Sequence, residues 1–460
     1  MSEVGMFVNR VDELAALERW WRTGRQVAVV WGRRRVGKTA LLHHFADGLR
    51  SVFHTGAGRS ARAELVQLAR QVATTQPHQL RDLTARPYSD WDDALDDLAL
   101  RAVDEPLLVV LDEFPELVKG SPELPGVIRA FLDRAADRTK LRLLLCGSAV
   151  RHMEMLQEER APLYGRFDIS LQVHPFRPHE AALLLPGLAA ADRALVYGLL
   201  GGVPLYLSWW DSSVDVAENL LRLVARPGAP LLTEGQLVLA TEAESGDHPS
   251  AVLHAIASGA TRYGQIKDAL AAEPARTIER LIQLRLVEKR VPVTEQGRTK
   301  KVAYRVSDNF LAFYLGVLSR FRSEIEGGLG ESILPVLIDC LDDFMGERWE
   351  EMFRAHLRRL AVAGEIAPEV VAVGQWWKDA SDVEIDALVL AGRGRKVVMA
   401  GEAKWARSPD AGRVLRSLHT KASAVPGVDP EQIRYALAAR ERPRSASGEA
   451  LVVTADDILG

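Results

Sequence analysis

"QVAVVWGRRRVGKTALLHHFADGL", residues 26–49, decides how the first part of the chain is read. An apolar run, Val27–Trp31, enters a loop, and the loop opens a helical stretch beginning near Lys38. The loop, Gly32-Arg33-Arg34-Arg35-Val36-Gly37-Lys38-Thr39, satisfies G-x-x-x-x-G-K-[ST]. Glycines let backbone N–H groups turn inward around phosphate oxygens, and the positive end of the helix running through Ala40 adds to the attraction. Lys38 is placed to reach the β- and γ-phosphates, and the Thr39 hydroxyl to ligate Mg²⁺. The expected ligand is a nucleoside triphosphate.

Such a site needs a second apolar strand ending in an acid. LLVVLDEF, residues 107–114, supplies it. Asp112 would hold Mg²⁺ through water, and Glu113 is placed to polarise the attacking water. A third strand, LRLLLCGSAV, runs to Ser148, which suits either a γ-phosphate sensor or an ordinary Gly-Ser turn. PLYGRF offers Arg166 as a γ-phosphate arginine, acting in cis or from a neighbouring copy in a homo-oligomer; a solvated loop arginine would look the same.

The bulk numbers bound the rest. A chain of 460 residues suggests about three domains. At 47% hydrophobic and 26% charged it has globular composition, and a net charge of −4 confines any nucleic-acid surface to a local patch. Cys146 and Cys340 are far apart and outside metal-ligand spacing, which fits a reducing compartment. No apolar run reaches membrane-spanning length, so the expectation is a cytoplasmic protein without a membrane partner.

After residue 176 the chain turns Leu/Ala-rich with three- and four-residue apolar spacing, the pattern of a small helical bundle. Residues 250–318 read as three helices, the third over residues 274–290, followed by a β-ribbon that turns at Glu295–Arg298, a winged helix-turn-helix pattern. Its third helix and ribbon carry Arg276, Arg280, Arg285, Lys289, Arg290, Arg298, Lys300, Lys301 and Arg305 against Glu279, Glu288 and Glu295. That local excess suits contact with a DNA backbone, and equally suits docking onto an acidic surface of the same chain. RSEIEGGLGES is polar and Gly-rich and reads as a linker.

Beyond it lies LDDFMGERWEEMFRAHLRRL, a helix with an apolar stripe and glutamates to its sides, followed by a hairpin built from VEIDALVL and KVVMAGEAKW. Residues two apart share a face of a strand, so Glu402 and Lys404 project together, and pairing across residues 391–395 lets Asp386 lie beside Glu402. Two neighbouring carboxylates repel unless a cation lies between them, which suits Mg²⁺ or Mn²⁺. Lys404 could then orient an attacking water or neutralise transition-state charge. A solvated hairpin face would show the same acid-x-lysine spacing.

FVNRVDEL, GRRRVGKTALL, VVLDEFPEL, LLCGSA, PLYGRF and GGVPLYL, in this order, resemble the archaeal-type ATPases of the STAND class of AAA+-related P-loop NTPases. The resemblance implies ATP as the nucleotide, with Arg10 and Pro204 as further contacts to it. The G-x-x-W-E helix, the strand EIDALVL and the strand GEAKW resemble the PD-(D/E)xK, restriction-endonuclease-like domain that follows such ATPases. Carried over, Glu350 is the helix acid, with Glu347 and Glu351 as runners-up; Asp386 and Glu402 are metal ligands and Lys404 is the catalytic lysine.

The expected architecture is α/β and multidomain, with an ASCE P-loop NTPase core over residues 1–175 and a helical lid over 176–245. A winged helix-turn-helix over 246–322, a linker over 323–339 and a nuclease-like α/β domain over 340–460 complete it. The expected function is an ATP-hydrolysing switch coupled to DNA binding and Mg²⁺-dependent cleavage. The alternative is a regulatory ATPase that binds DNA or protein without cutting.

Overall fold

The computed structural model describes residues 7–75, 81–135, 138–242, 248–378, 383–443 and 450–460. The chain divides into two compact units, residues 1–175 and 176–460. No helix among the described residues is long and apolar enough to cross a membrane.

The first unit is built on strands β1 (Val27–Trp31), β2 (Ser51–Thr55), β3 (Leu107–Asp112), β4 (Leu141–Gly147) and β5 (Ile169–Gln172). They form one parallel sheet in the order β2-β3-β4-β1-β5. Strands β1, β3 and β4 are buried along their whole length, because helices cover both sheet faces. Odd and even positions go to different layers. Val27, Val29, Val109 and Leu143 pack with Leu65, Leu98 and Phe131, while Ala28, Val30, Val110 and Leu144 pack with Leu17, Leu41 and Phe45. The functional loops therefore gather at the carboxyl ends of the central strands, where such sheets bind ligands.

The second unit opens with a short helix, Pro178–Ala181, followed by helices at Ala190–Leu200, Pro204–Ser208, Val216–Leu223 and Pro230–Glu242. Three helices follow, Pro249–Ala257, Tyr263–Leu270 and Ala275–Gln283, and then β6 (Val287–Arg290) pairs antiparallel with β7 (Ala303–Val306). The ribbon differs from the sequence expectation. Val287–Arg290 is strand, not the end of the third helix, because Arg285 takes a left-handed φ of 58° and stops the helix. The helix Asn309–Gly316, capped by Asp308, is buried from Phe310 onward and forms the centre of this core. The stretch read as a linker is also ordered: it folds into Arg322–Glu326 and Gly330–Asp339, anchored by buried Ile325 and Leu337.

The helix Leu341–Val362 then leads into β8 (Val370–Trp377), β9 (Glu384–Ala391) and β10 (Lys396–Ala403). After the helix Ala411–Ala422 come β11 (Arg434–Ala438), β12 (Ala450–Val453) and a short terminal helix, Ala455–Leu459. The sheet order is β12-β11-β10-β9-β8, antiparallel over β8–β10 and parallel over β10–β12. Both faces are covered. Ala387, Val389 and Met399 lie under the Leu341–Val362 helix, and Leu388 and Ala400 under Leu418 of the Ala411–Ala422 helix. Simple alternation puts Ile385 with Ala387, yet Ile385 packs in the Leu418 layer; a register shift in the β8–β9 pairing between Gly374 and Trp376 accompanies the change.

Candidate functional sites: a phosphate loop and a carboxylate–lysine cluster

In the first unit, β1 ends at Trp31 and the chain must turn sharply beside Val173. A Cβ on Gly32 would stand 2.3 Å from the Val173 carbonyl oxygen, so only glycine fits there. Gly37, with a φ of 91°, closes the loop and caps the helix Lys38–Ala46, whose second and third residues are Thr39 and Ala40. The buried Lys38 ammonium donates to the carbonyls of Gly32 and Arg33 at 2.8 and 2.9 Å. Burial pushes its pKa down, opposed by nearby Glu113 and Asp112; Arg34 adds to the lowering. Arg35 holds a left-handed φ of 66° in mid-loop.

Arg10 braces this loop. Its buried guanidinium donates to the Val36 carbonyl at 2.7 Å and to Glu13 at 2.9 Å. Thr39 Oγ1 donates to Asp112 Oδ2 at 3.0 Å, which brings together the two groups expected to hold Mg²⁺. Asp112 is buried, and a hydroxyl with a carboxylate is a hard-oxygen pair that fits this ion. Glu113 sits just past β3 with a left-handed φ of 47°, and its Oε2 accepts from Ser148 Oγ at 2.8 Å. Ser148 thus orients Glu113. Arg166 is engaged elsewhere: it pairs with Asp133 at 2.8 Å, both side chains half-exposed. Pro204 belongs to the second unit, where it opens the Pro204–Ser208 helix.

The second cluster lies on β9, β10 and the Leu341–Val362 helix. Register pairs Ala387 with Gly401 and thereby sets Asp386 beside Glu402. Both are buried, and Asp386 Oδ2 accepts from the Ala403 N–H at 2.8 Å. Lys404 Nζ donates to Glu402 Oε1 at 2.8 Å. Burial works against the Lys404 ammonium, but its hydrogen bond to Glu402 and that group's charge hold its pKa above the ordinary lysine value. Glu350 approaches from the helix. Burial, then the neighbouring Asp386 charge, push Glu350 up to about 8, and burial followed by the Glu402 charge push Asp386 up to about 6.

The expected ligand set differs in one respect. Among the described residues no three carboxylates, imidazoles or thiols stand grouped as a metal cage. Glu402 instead has both oxygens engaged by lysines: Lys421 Nζ lies 2.7 and 2.9 Å from them, in addition to Lys404. Burial keeps Glu350 and Asp386 raised even though Arg354 lowers the first and the two lysines lower the second. Raised carboxyls beside hard oxygen donors fit a divalent cation, while Glu402 fits it only by exchanging a lysine.

Sequence reasoning missed Lys421 and Arg354. Arg354, buried, donates to the Asp386 carbonyl at 2.7 Å and contacts Glu350 at 3.5 Å. Neither has a motif signal: Arg354 stands four residues from Glu350 on one helix, and helix packing brings it to Asp386 and brings Lys421 to Glu402.

The basic ribbon is also placed differently from a wholly solvent-facing one. Arg290 pairs with Glu347 and Glu351 of the Leu341–Val362 helix, each at 3.2 Å, and Arg305 approaches Glu351 at 3.8 Å. Burial would raise the Glu351 pKa, but Arg305, Arg354, Arg358 and Arg290 together hold it well below the usual carboxylate range. Val293 N–H donates to the Gln375 carbonyl at 2.9 Å, Arg395 donates to the Val293 carbonyl at 2.9 Å, and Arg262 stacks over Trp377. Lys301 pairs with Glu295. Arg276, Lys289, Arg298 and Lys300 stay exposed.

Residues 314–415 match a family described as "Archaea bacterial proteins of unknown function". An uncharacterised protein of Methanocaldococcus jannaschii is 25% identical over 464 residues, covering 98% of this chain and 100% of that protein. An uncharacterised ATP-binding protein of the same organism is 46% identical over 48 residues, 10% of this chain and 81% of that protein. Among solved structures, the Walker-type ATPase of Pyrococcus abyssi is 20% identical, with a TM-score of 0.54, over 67% of this chain and 96% of that one. At that identity the likeness is one of fold. Residues 7–209 match a family described as an ATPase domain predominantly from Archaea, and the Lys38, Thr39, Asp112 and Glu113 geometry lies inside that match.

Proposed function

We propose that the chain is an ATP-hydrolysing switch whose second unit engages DNA and cleaves it at the Glu350, Asp386, Glu402 and Lys404 cluster. In the first unit, Lys38 and the loop N–H groups bind the phosphates, with Arg10 fixing the loop through Val36. Glu113, held by Ser148, polarises the attacking water. Divalent cations, when bound, would supply phosphate charge neutralisation at Thr39 and Asp112 and Lewis-acid activation at Asp386 and Glu402. Lys404 would neutralise charge developing on the cleaved phosphate. The three helices and ribbon over residues 246–322 would act as a winged helix, with Arg276, Lys289, Arg298 and Lys300 on the DNA backbone.

The observation that carries this reading is the assembly of Asp386, Glu402 and Lys404 at one point, with Glu350 close enough to raise its carboxyl. A second reading has its own support: the hold of two lysines on Glu402 and the ribbon's ion pairs to the neighbouring helix favour a regulatory ATPase that binds without cutting. Plasmid and linear DNA incubated with Mg²⁺ or Mn²⁺ separates the two. Cleavage by the wild type and none by an Asp386→Ala/Lys404→Ala variant supports the nuclease; intact DNA with both, and a gel shift retained in the variant, supports the regulatory reading.

A further inference from the structure

The helix Ala411–Ala422 has no part in the motifs described above, yet its last turn delivers Lys421 to the acid cluster. Leu418 of the same helix is fully buried against Ile385, Leu388 and Ala400, and residues three apart on a helix face the same way. The buried Leu418 therefore aims Lys421 at β10. Its ammonium contacts both Glu402 oxygens, at 2.7 and 2.9 Å, while Lys404 contacts only Oε1.

This is not an ordinary surface ion pair, because Glu402 is 4% exposed. One lysine already balances one carboxylate. Glu350 already has Arg354 at 3.5 Å, so the second lysine makes electrostatic sense when Asp386, set beside Glu402 by the strand register, is counted as well. The Lys421 side chain retains some solvent contact, and its position in the last helical turn offers the ammonium a second favourable place beside the helix carbonyls. It can leave Glu402 without being stranded.

We propose that Lys421 is an internal cation that competes with a divalent metal ion for Glu402. The inference rests on the reading of Asp386 and Glu402 as divalent-cation ligands. It assigns Lys421 as a positioning residue: it holds the Glu402 carboxylate in place, and binding of the ion requires that hold to be released. The lysine therefore sets how much free metal the site needs.

The test is Mn²⁺ binding to the full chain without nucleotide, followed by electron paramagnetic resonance. Wild type, Lys421→Met, Lys421→Arg and Lys421→Met/Asp386→Asn are compared. Removing the competitor should tighten Mn²⁺ binding by about tenfold, or about 1.4 kcal/mol. Lys421→Arg should stay near wild type, and adding Asp386→Asn should abolish the gain. Mn²⁺ should also raise the melting temperature of Lys421→Met more than that of wild type, by mass action. If Lys421→Met does not fold, Lys421→Gln serves in its place. Equal or weaker binding in the variant, at a site that Asp386→Asn still removes, overturns the role of Lys421 and leaves the metal reading intact. Absence of any Asp386-dependent Mn²⁺ site in all of these proteins overturns both.

Discussion

Arg290 on β6 meets Glu351 on the Leu341–Val362 helix at 3.2 Å, one residue along from Glu350 of the acid cluster. Glu351 also binds Arg354 at 3.0 Å, and Arg354 donates to the Asp386 carbonyl. A chain of charged contacts thus runs from the ribbon to the cluster. Arg290→Ala should loosen the ribbon, at a cost of about 1–3 kcal/mol for a half-buried charged pair whose acids keep other partners. The Val293 amide, bonded to Gln375, reports it: its hydrogen exchange should speed up roughly tenfold or more. Unchanged exchange would mean the ribbon is held by its backbone contacts alone.

Lys38→Ala should abolish ATP turnover, because it removes the ammonium that the Gly32 and Arg33 carbonyls hold in the loop for the phosphates. Glu113→Gln should keep ATP binding and lower turnover by about a hundredfold or more, the scale of general-base catalysis. Phosphate release and nucleotide affinity, measured side by side, check both.

Ser148→Ala removes the hydroxyl that holds Glu113 Oε2 at 2.8 Å. Turnover should fall by roughly tenfold, with nucleotide affinity little changed, since one hydrogen bond worth about 1–2 kcal/mol is lost from the orientation of Glu113. A fall in affinity with unchanged turnover would place Ser148 on the nucleotide instead.

Gly401 sets the distance between β10 and the helix that carries Glu350. A Cβ there would lie 2.7 Å from Phe353 Cε1 and 2.8 Å from its Cζ, a rigid ring fully buried in the core. Gly401→Ala should cost about 1–3 kcal/mol by overpacking and push the helix that carries Glu350 away from Asp386. Thermal melting should record the loss, and Mn²⁺ affinity should weaken with it.

Stability without divalent metal should depend on pH through Glu350. Its carboxyl moves from 4.5 up to about 8 on folding, so between those values the native state holds a proton that the unfolded state lacks. Stability must then fall as pH rises through that window and level off above it. Asp386 adds the same trend between 3.8 and about 6. Glu350→Gln should flatten the upper part of the curve in melts at pH 5, 6, 7 and 8. An equally steep fall in that variant would assign the titration to another group.

The phosphate loop was legible because its chemistry is contiguous: Gly32 to Thr39 form one turn, and Asp112 with Glu113 end one strand. Arg10 on the Val36 carbonyl needed the fold, since residues 26 positions apart meet there. The hairpin was legible too, because the period of two puts Glu402 and Lys404 on one side and the turn pairs Ala391 with Lys396. Lys421 was not, because a lysine in the last turn of an amphipathic helix looks like any other until Leu418 is seated. Counting charge found the basic ribbon but could not tell Arg290 and Arg305, turned toward acids of the same chain, from Lys289 and Lys300, which face water. Composition carries sign and number, not direction.

Plasmid cleavage in Mg²⁺ with and without ATP tests most directly whether the proposed ATP switch and the acid cluster act together. Wild type should nick DNA to an extent that changes with ATP, Lys38→Ala should lose that response, and Asp386→Ala should not nick. Nicking that is indifferent to ATP and equal in all three proteins would contradict it.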